Sequence, residues 1–280
     1  MQTTSTGTTE VALVAAFTKD GAGGNLAGVV LDAGMIPVAE RQRIAAVVAV
    51  PETAFVHDLG DGVYDVTFFT PVAQVPDCGH ATVGAFGLLV QRGMLAATTA
   101  VKRTTIGDRA IEREGDRIFM DQPRPALTPF ARAGAIAASL ALAPNALAGT
   151  PVIADHGVRF ILIETTRDAL ATAVPDPEAI ASISAEADAY GYYVYARDAP
   201  GCDATIRMFA PRIGIPEEPA TGMAAGLLGG LLAHNAEHAS YRFEQGALMP
   251  QPSPSELIVR VEPDRIRVGG TAALVRTMRA

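Results

Sequence analysis

Half a chain length separates two stretches that read as copies of one another. Phe69-Thr-Pro71-Val-Ala-Gln-Val-Pro76-Asp77-Cys78-Gly79-His80-Ala81-Thr82 is echoed by Phe209-Ala-Pro211-Arg-Ile-Gly-Ile-Pro216-Glu217-Glu218-Pro219-Ala220-Thr221-Gly222 in a chain of 280 residues. In each copy an apolar strand (residues 64–69; 205–209) runs through proline and an acidic residue into small residues. An Ala/Gly/Leu-rich helix follows (83–89; 223–233). The chain is therefore expected to fold as two copies of one unit. Each copy opens a helix at its polar loop, where orphan backbone N–H groups and the positive end of the helix dipole favour an anion. Two facing starts could clamp one small acid, or the joints could simply cap their helices.

The flanking sequence fills out both units. Residues 11–18 read as a strand, 19–25 as a tight glycine-rich turn and 27–31 as the next strand. Residues 37–50 read as a helix with Ile44, Val47 and Val48 on one face, stopped by Pro51. Residues 52–56 and 63–70 form a hairpin around Leu59-Gly-Asp-Gly62. The second half repeats the grammar with a strand at 157–165, a helix at 177–187 and a hairpin of 191–197 with 205–209. Further strands are expected at 241–245, 256–261 and 265–270. The prolines of Gln122-Pro-Arg-Pro125 disfavour regular structure as far as Thr128 and mark a boundary. The expected domains are 1–122 and 129–264, with 265–280 crossing back to complete the first, each a mixed α/β (α+β) unit.

Composition narrows the function classes. Apolar residues make up 49% and charged residues 19%, which supports a packed core and argues against disorder. A net charge of −8 with no basic block argues against nucleic acid or an anionic membrane as partner and favours a small molecule. No stretch is apolar enough to span a bilayer. The polar start Met1 to Glu10 lacks the pattern of a secretion signal, and its first eight or so residues are expected to fray. Two cysteines, Cys78 and Cys202, cannot build a disulfide framework, so a reducing cytoplasm is the expected compartment. A dinucleotide site would need a third glycine where Leu26 stands after Gly21 and Gly23, and a helix rather than a strand downstream.

Phe17-Thr18, Gly24-Asn25, Pro51-Glu52-Thr53-Ala54-Phe55, Phe69-Thr70-Pro71, Cys78-Gly79-His80-Ala81-Thr82, Arg207-Met-Phe209-Ala-Pro211, Glu218-Pro219-Ala220-Thr221-Gly222, Gln245-Gly246 and Val268-Gly-Gly270 occur in one order along nearly the whole chain. Together they resemble the phenazine-biosynthesis PhzF-like family of the diaminopimelate epimerase-like superfamily. The resemblance implies two similar domains, each a mixed sheet wrapped around a central helix, with the active site in the cleft between them. It also implies homodimers and a cofactor-free, metal-free proton shift on a small carboxylic acid. Glu52 matches the family's proton-carrying glutamate, His80 its substrate-side histidine and Glu218 a position where aspartate is common. Gly24, Asn25, Cys78, Gly79, Ala81, Thr82, Ala220, Thr221, Gly222 and Met223 match positions around the substrate.

Departures from the family pattern point to a different, smaller or less polar substrate. Glu218 is one methylene longer than the usual aspartate, Met223 replaces a serine and donates nothing, and Leu26 follows Gly24-Asn25 where proline is usual. Three rival readings follow from other residues. A two-cysteine racemase would use Cys78, but the partner position is Pro219, which carries no proton. His234-Asn-Ala-Glu237-His238 matches the H-x-x-E-H of inverted zinc proteases, though too little chain follows to supply their further ligand. A protein that binds a small acid without turning it over is the third.

Overall fold

The computed structural model describes residues 8–198, 200–234 and 236–280, so the expected fraying of the first residues lies outside it. The chain splits into two compact units. Unit 1 takes the residues up to Ala16, Leu26–Met120 and Thr271–Ala280; unit 2 takes Phe17–Asn25 and Asp121–Gly270.

Unit 1 contains most of β1 (Glu10–Thr18), then β2 (Asn25–Val30), α1 (Val38–Val48), β3 (Glu52–Gly60), β4 (Val63–Phe69), β5 (Gln74–Val75), α2 (Gly79–Gln91), β6 (Thr99–Thr104), β7 (Gly107–Glu114) and β8 (Arg117–Gln122). β2 and β3 pair in parallel from Ala27↔Glu52. β3 and β4 form the antiparallel hairpin. β4 also pairs antiparallel with β5 and parallel with β6, and β6, β7 and β8 form a meander. Every residue of α2 from Gly79 to Leu89 is buried, as an all-round apolar helix requires. The buried stripe of α1 is Arg41, Ile44, Ala45 and Val48. Val47 was expected on that face, but it falls beside the i, i+3, i+4, i+7 stripe and is 50% exposed. The helix ends at Ala49, in the left-handed region at φ 54° with its N–H donated to the Ala45 carbonyl, two residues before Pro51.

Unit 2 contains β9 (Ala126–Pro129), α3 (Ala133–Ser139), β10 (Val152–Asp155), β11 (Arg159–Glu164), α4 (Arg167–Thr172), α5 (Pro177–Glu186), β12 (Gly191–Ala196), β13 (Ala204–Ala210), β14 (Ile215–Glu218), α6 (Gly222–Leu232), β15 (Ala239–Gln245), β16 (Ser255–Val261) and the start of β17 (Ile266–Arg279). Its pairing repeats that of unit 1: β11 and β12 parallel, β12 and β13 antiparallel, β13 antiparallel to β14 and parallel to β15, then a β15–β16–β17 meander. Strand structure resumes at Ala126, three residues earlier than the prolines suggest, because Thr128 pairs with Ile153 of a strand, β10, that the sequence reading leaves out. The segment Phe17–Asn25, read from sequence as part of the first domain, packs in unit 2 instead. Thr18 pairs with Ser255, the Gly24 N–H donates to the Pro254 carbonyl at 3.1 Å, and Ser253 Oγ donates to the Gly24 carbonyl at 2.7 Å.

Among the described residues no helix is long and apolar enough to cross a membrane.

Candidate active site

Glu52 is the first residue of β3, and its parallel register with Ala27 fixes where its side chain projects. The side chain is 16% exposed. Cys78 caps α2 with extended backbone at φ −151° and no side-chain cap bond. The turn is held from both sides: Asp77 Oδ1 accepts from the Cys78 N–H at 2.7 Å, and the Cys78 carbonyl accepts from Thr82 N at 3.0 Å and Thr82 Oγ1 at 2.7 Å. The N–H groups of Gly79, His80 and Ala81 belong to the first turn of α2, at its positive end.

His80, buried on that first turn, brings the two segments together. Its Nε2 lies 3.3 Å from Glu52 Oε2 and its Nδ1 lies 3.5 Å from Cys78 Sγ. Burial pushes the His80 pKa down to about 4, against a hydrogen bond with the Leu26 main chain that favours the charged ring. The imidazole is therefore neutral at physiological pH, and its 3.3 Å contact with Glu52 is a carboxyl–imidazole contact rather than an ion pair. Burial also raises the Glu52 pKa, partly offset by a hydrogen bond from the Cys78 thiol. A carboxyl moved up from its ordinary range is better matched to both accepting and returning a proton near neutrality.

Behind the helix start lies Lys102, 2% exposed, which the sequence reading does not single out. Its ammonium contacts Asp77 Oδ1, donates to Thr82 Oγ1 at 3.2 Å and sits 5.5 Å from the centre of the Phe68 ring. The signal was available in period two: Ala100, Lys102 and Thr104 alternate as the buried positions of β6.

The remaining candidates lie in unit 2. Glu218 accepts from Asn25 Nδ2 at 2.8 Å through Oε1 and from Thr221 Oγ1 through Oε2. Asn25 also donates to the Ala220 carbonyl at 3.0 Å. Gln245, fully buried, closes the network: its Nε2 donates to the Glu218 carbonyl at 2.7 Å and to Thr221 Oγ1 at 3.1 Å. Its Oε1 accepts from the Thr221 N–H at 3.2 Å and from Tyr193 OH at 3.0 Å. Thr221 caps α6, Gly222 is its first residue, and the Met223 carbonyl accepts from His156 Nε2 at 3.2 Å. Structure thus gathers Glu52, Cys78, Gly79, His80, Ala81 and Thr82 in one unit and Gly24, Asn25, Glu218, Ala220, Thr221, Gly222 and Met223 in the other. Arg207 of the family motif makes a bidentate pair with Glu217 at 2.8 and 2.9 Å, and so braces β13 against β14. Two recesses of unit 2, about 330 and 320 Å³, share Glu164, Arg197 and Leu232 and include none of these candidates.

The protease motif does not survive folding. His234, Glu237 and His238 follow the last residue of α6, Leu232, so the two histidines do not share a helical face. Among the described residues the one group of three metal-capable donors is Glu52, Cys78 and His80.

Residues 14–278 match the family model PhzC-PhzF, described as phenazine biosynthesis-like protein. A Deinococcus radiodurans protein named an uncharacterized isomerase is 35% identical, covering 96% of this chain and 93% of its own length. A Pseudomonas fluorescens protein named trans-2,3-dihydro-3-hydroxyanthranilate isomerase is 28% identical over 83% of this chain and 82% of its own. The crystal structure of the Bacillus anthracis phenazine biosynthesis protein of the PhzF family superposes with a TM-score of 0.89 at 26% identity, covering 98% of this chain and 99% of that one. With motif order, strand pairing and these likenesses in agreement, the chain belongs to the phenazine biosynthesis-like family of isomerases.

Proposed function

We propose that this isomerase moves a proton between two carbons of a small carboxylic acid without a cofactor, and that Glu52 carries the proton. The supporting observation is the surroundings of Glu52: a raised carboxyl, an uncharged imidazole at 3.3 Å and a thiol donor. Glu52 takes the proton from one carbon as the C–H electrons shift into the adjacent π system. It returns the proton at another carbon, so atoms and charge balance with no oxidant or reductant. Neutral His80 adds a polar contact without competing for the proton at neutral pH, and the N–H groups at the start of α2 offer donors to the substrate carboxylate.

On the strength of the family resemblance, positions 220–223 of unit 2 are assigned to ligand binding as well. Met223, with no hydrogen-bonding group, favours a less polar substrate than a serine would. A thiol base at Cys78 is disfavoured because its S–H donates to Glu52 in this arrangement, and a donor is the protonated form.

The test is solvent-deuterium incorporation over a panel of small unsaturated and hydroxy acids. Wild type should exchange one carbon-bound hydrogen in a substrate. Glu52→Gln, which keeps the shape and cannot shuttle a proton, should bind that acid and fail to exchange it; exchange retained in the variant assigns the base elsewhere.

A further inference from the structure

Glu52 Oε2 and His80 Nε2 stand 3.3 Å apart. Two oxygen or nitrogen ligands at about 2.05 Å on a tetrahedral zinc ion also stand about 3.3 Å apart. One donor atom from each of Glu52, Cys78 and His80 lies within 4.8 Å of the other two. A thiolate about 2.3 Å from that same ion would sit about 3.5 Å from Nε2. Sγ keeps that distance from the other ring nitrogen, Nδ1, so the thiol must rotate about its Cα–Cβ bond towards the Nε2 edge to complete the set. A carboxylate, an imidazole and a thiolate are the ligands of a borderline ion such as Zn2+ or Co2+ rather than of Mg2+ or Ca2+. The ligands are also oriented from behind: the cap at Cys78 by Asp77, Thr82 and Lys102, and the His80 ring by the Leu26 main chain. Cys78 and His80 are buried, while Glu52, 16% exposed, leaves a path from solvent.

The geometry points to Glu52, Cys78 and His80 as an inhibitory site for a borderline divalent cation, with its fourth position open to water or to a carboxylate. As the metal–sulfur bond forms, the thiol proton leaves to solvent, as does any proton on the Glu52 carboxyl, and no electrons are transferred. The bound cation occupies the lone pair with which Glu52 would take a substrate proton, so the metal-free protein is the active form. Only the inhibitory half rests on the role given to Glu52 above; binding does not.

The experiment titrates chelator-stripped protein with Co2+ in the absence of substrate. Expected are one equivalent bound, a thiolate-to-cobalt charge-transfer band in the near ultraviolet, and displacement of that band by Zn2+. Competition with a chromophoric chelator should show Zn2+ affinity falling about tenfold or more in Cys78→Ala and in Glu52→Gln. It should be unchanged in the double variant His234→Ala/His238→Ala, which removes exposed histidines of unit 2. Far-ultraviolet circular dichroism establishes that each variant is folded. Zn2+ should suppress deuterium exchange in proportion to occupancy, with recovery on chelation. Absence of the band, or equal Zn2+ affinity in wild type and Cys78→Ala, overturns the site, and exchange that continues at full occupancy overturns its inhibitory role. Metal binding alongside exchange that survives Glu52→Gln would defeat the proposed function and leave this site standing. The reverse result would defeat only the site.

Discussion

In unit 1 the residue before Thr53, which pairs with Phe69, is Glu52; in unit 2 the residue before Tyr192, which pairs with Phe209, is Gly191. A Cβ at Gly191 would lie 2.0 Å from the Phe209 carbonyl oxygen, so the second copy cannot carry a carboxylate at the matching place. The polar groups differ in the same direction. Around Glu218 and Thr221, hydrogen bonds run between Asn25, Gln245 and Tyr193 inside the unit. Around Cys78 and His80 the contacts are a 3.5 Å approach of the thiol to His80 Nδ1 and a 3.3 Å approach of the Glu52 carboxyl to His80 Nε2, so three groups able to carry a proton meet at one place. One strand pairing therefore supports two kinds of site: a hydrogen-bonded network that stabilises, and a carboxyl–imidazole–thiol cluster whose groups can exchange protons.

The strongest way to break this contrast is Glu52→Gln. Exchange is expected to fall by at least about a thousandfold, roughly 4 kcal/mol of transition-state stabilisation, while the melting temperature holds or rises. The converse substitution, Gly191→Ala, should leave the chemistry's residues untouched and cost about 3 kcal/mol or more of unfolding free energy through its clash with a backbone oxygen, read by denaturant titration.

The next largest effect is a pH dependence that belongs to unit 1. His80 titrates near its ordinary 6.5 when unfolded and at about 4 when folded, so its contribution is fully present above pH 6.5 and is lost as pH falls towards 4. That loss is about 3 kcal/mol and should be absent from the stability profile of His80→Asn. Glu52 acts with the opposite sign: its folded pKa is raised, so its contribution is lost as pH climbs through that raised value. In unit 2, Gln245→Leu should cost about 2 kcal/mol by stranding the Thr221 N–H and the Tyr193 hydroxyl. Smallest is Cys78→Ala, expected to keep more than about a tenth of the activity, a loss under about 1.4 kcal/mol. A loss of several orders of magnitude would restore thiol chemistry to unit 1.

What could be read before folding was whatever repeats or breaks a local pattern. The echo of 69–82 at 209–222 exposed both strand-turn-helix joints, and Pro51 followed by Glu52 placed a carboxylate at a strand start. What could not be read depends on partners distant in sequence. Residues 19–25 look like a local turn after a strand, and it is partners far along the chain, Glu218, Ala220, Ser253, Pro254 and Ser255, that draw Phe17–Asn25 into unit 2. Gln245 was visible as part of a motif, yet its four hydrogen bonds join residues of β12, β14 and the α6 cap. The H-x-x-E-H spacing misleads because it presumes a helix, and α6 has ended by Leu232.

The closing strand of unit 1 has a consequence for synthesis. Met278 packs on the core formed by Val11, Ile44, Phe55 and Phe69, Thr9 and Ala280 exchange both main-chain hydrogen bonds, and the site of a Cβ on Gly87 lies 2.6 Å from Ala272. Unit 2 needs nothing beyond Gly270. A ribosome adding about 5–20 residues per second therefore delivers Met120 about eight to thirty seconds before the strand that covers α2. Through that interval α2, with glycines at 79, 84 and 87, has little propensity to hold itself together. The half made first is finished last, and its apolar helix waits through that interval for the strand that covers it.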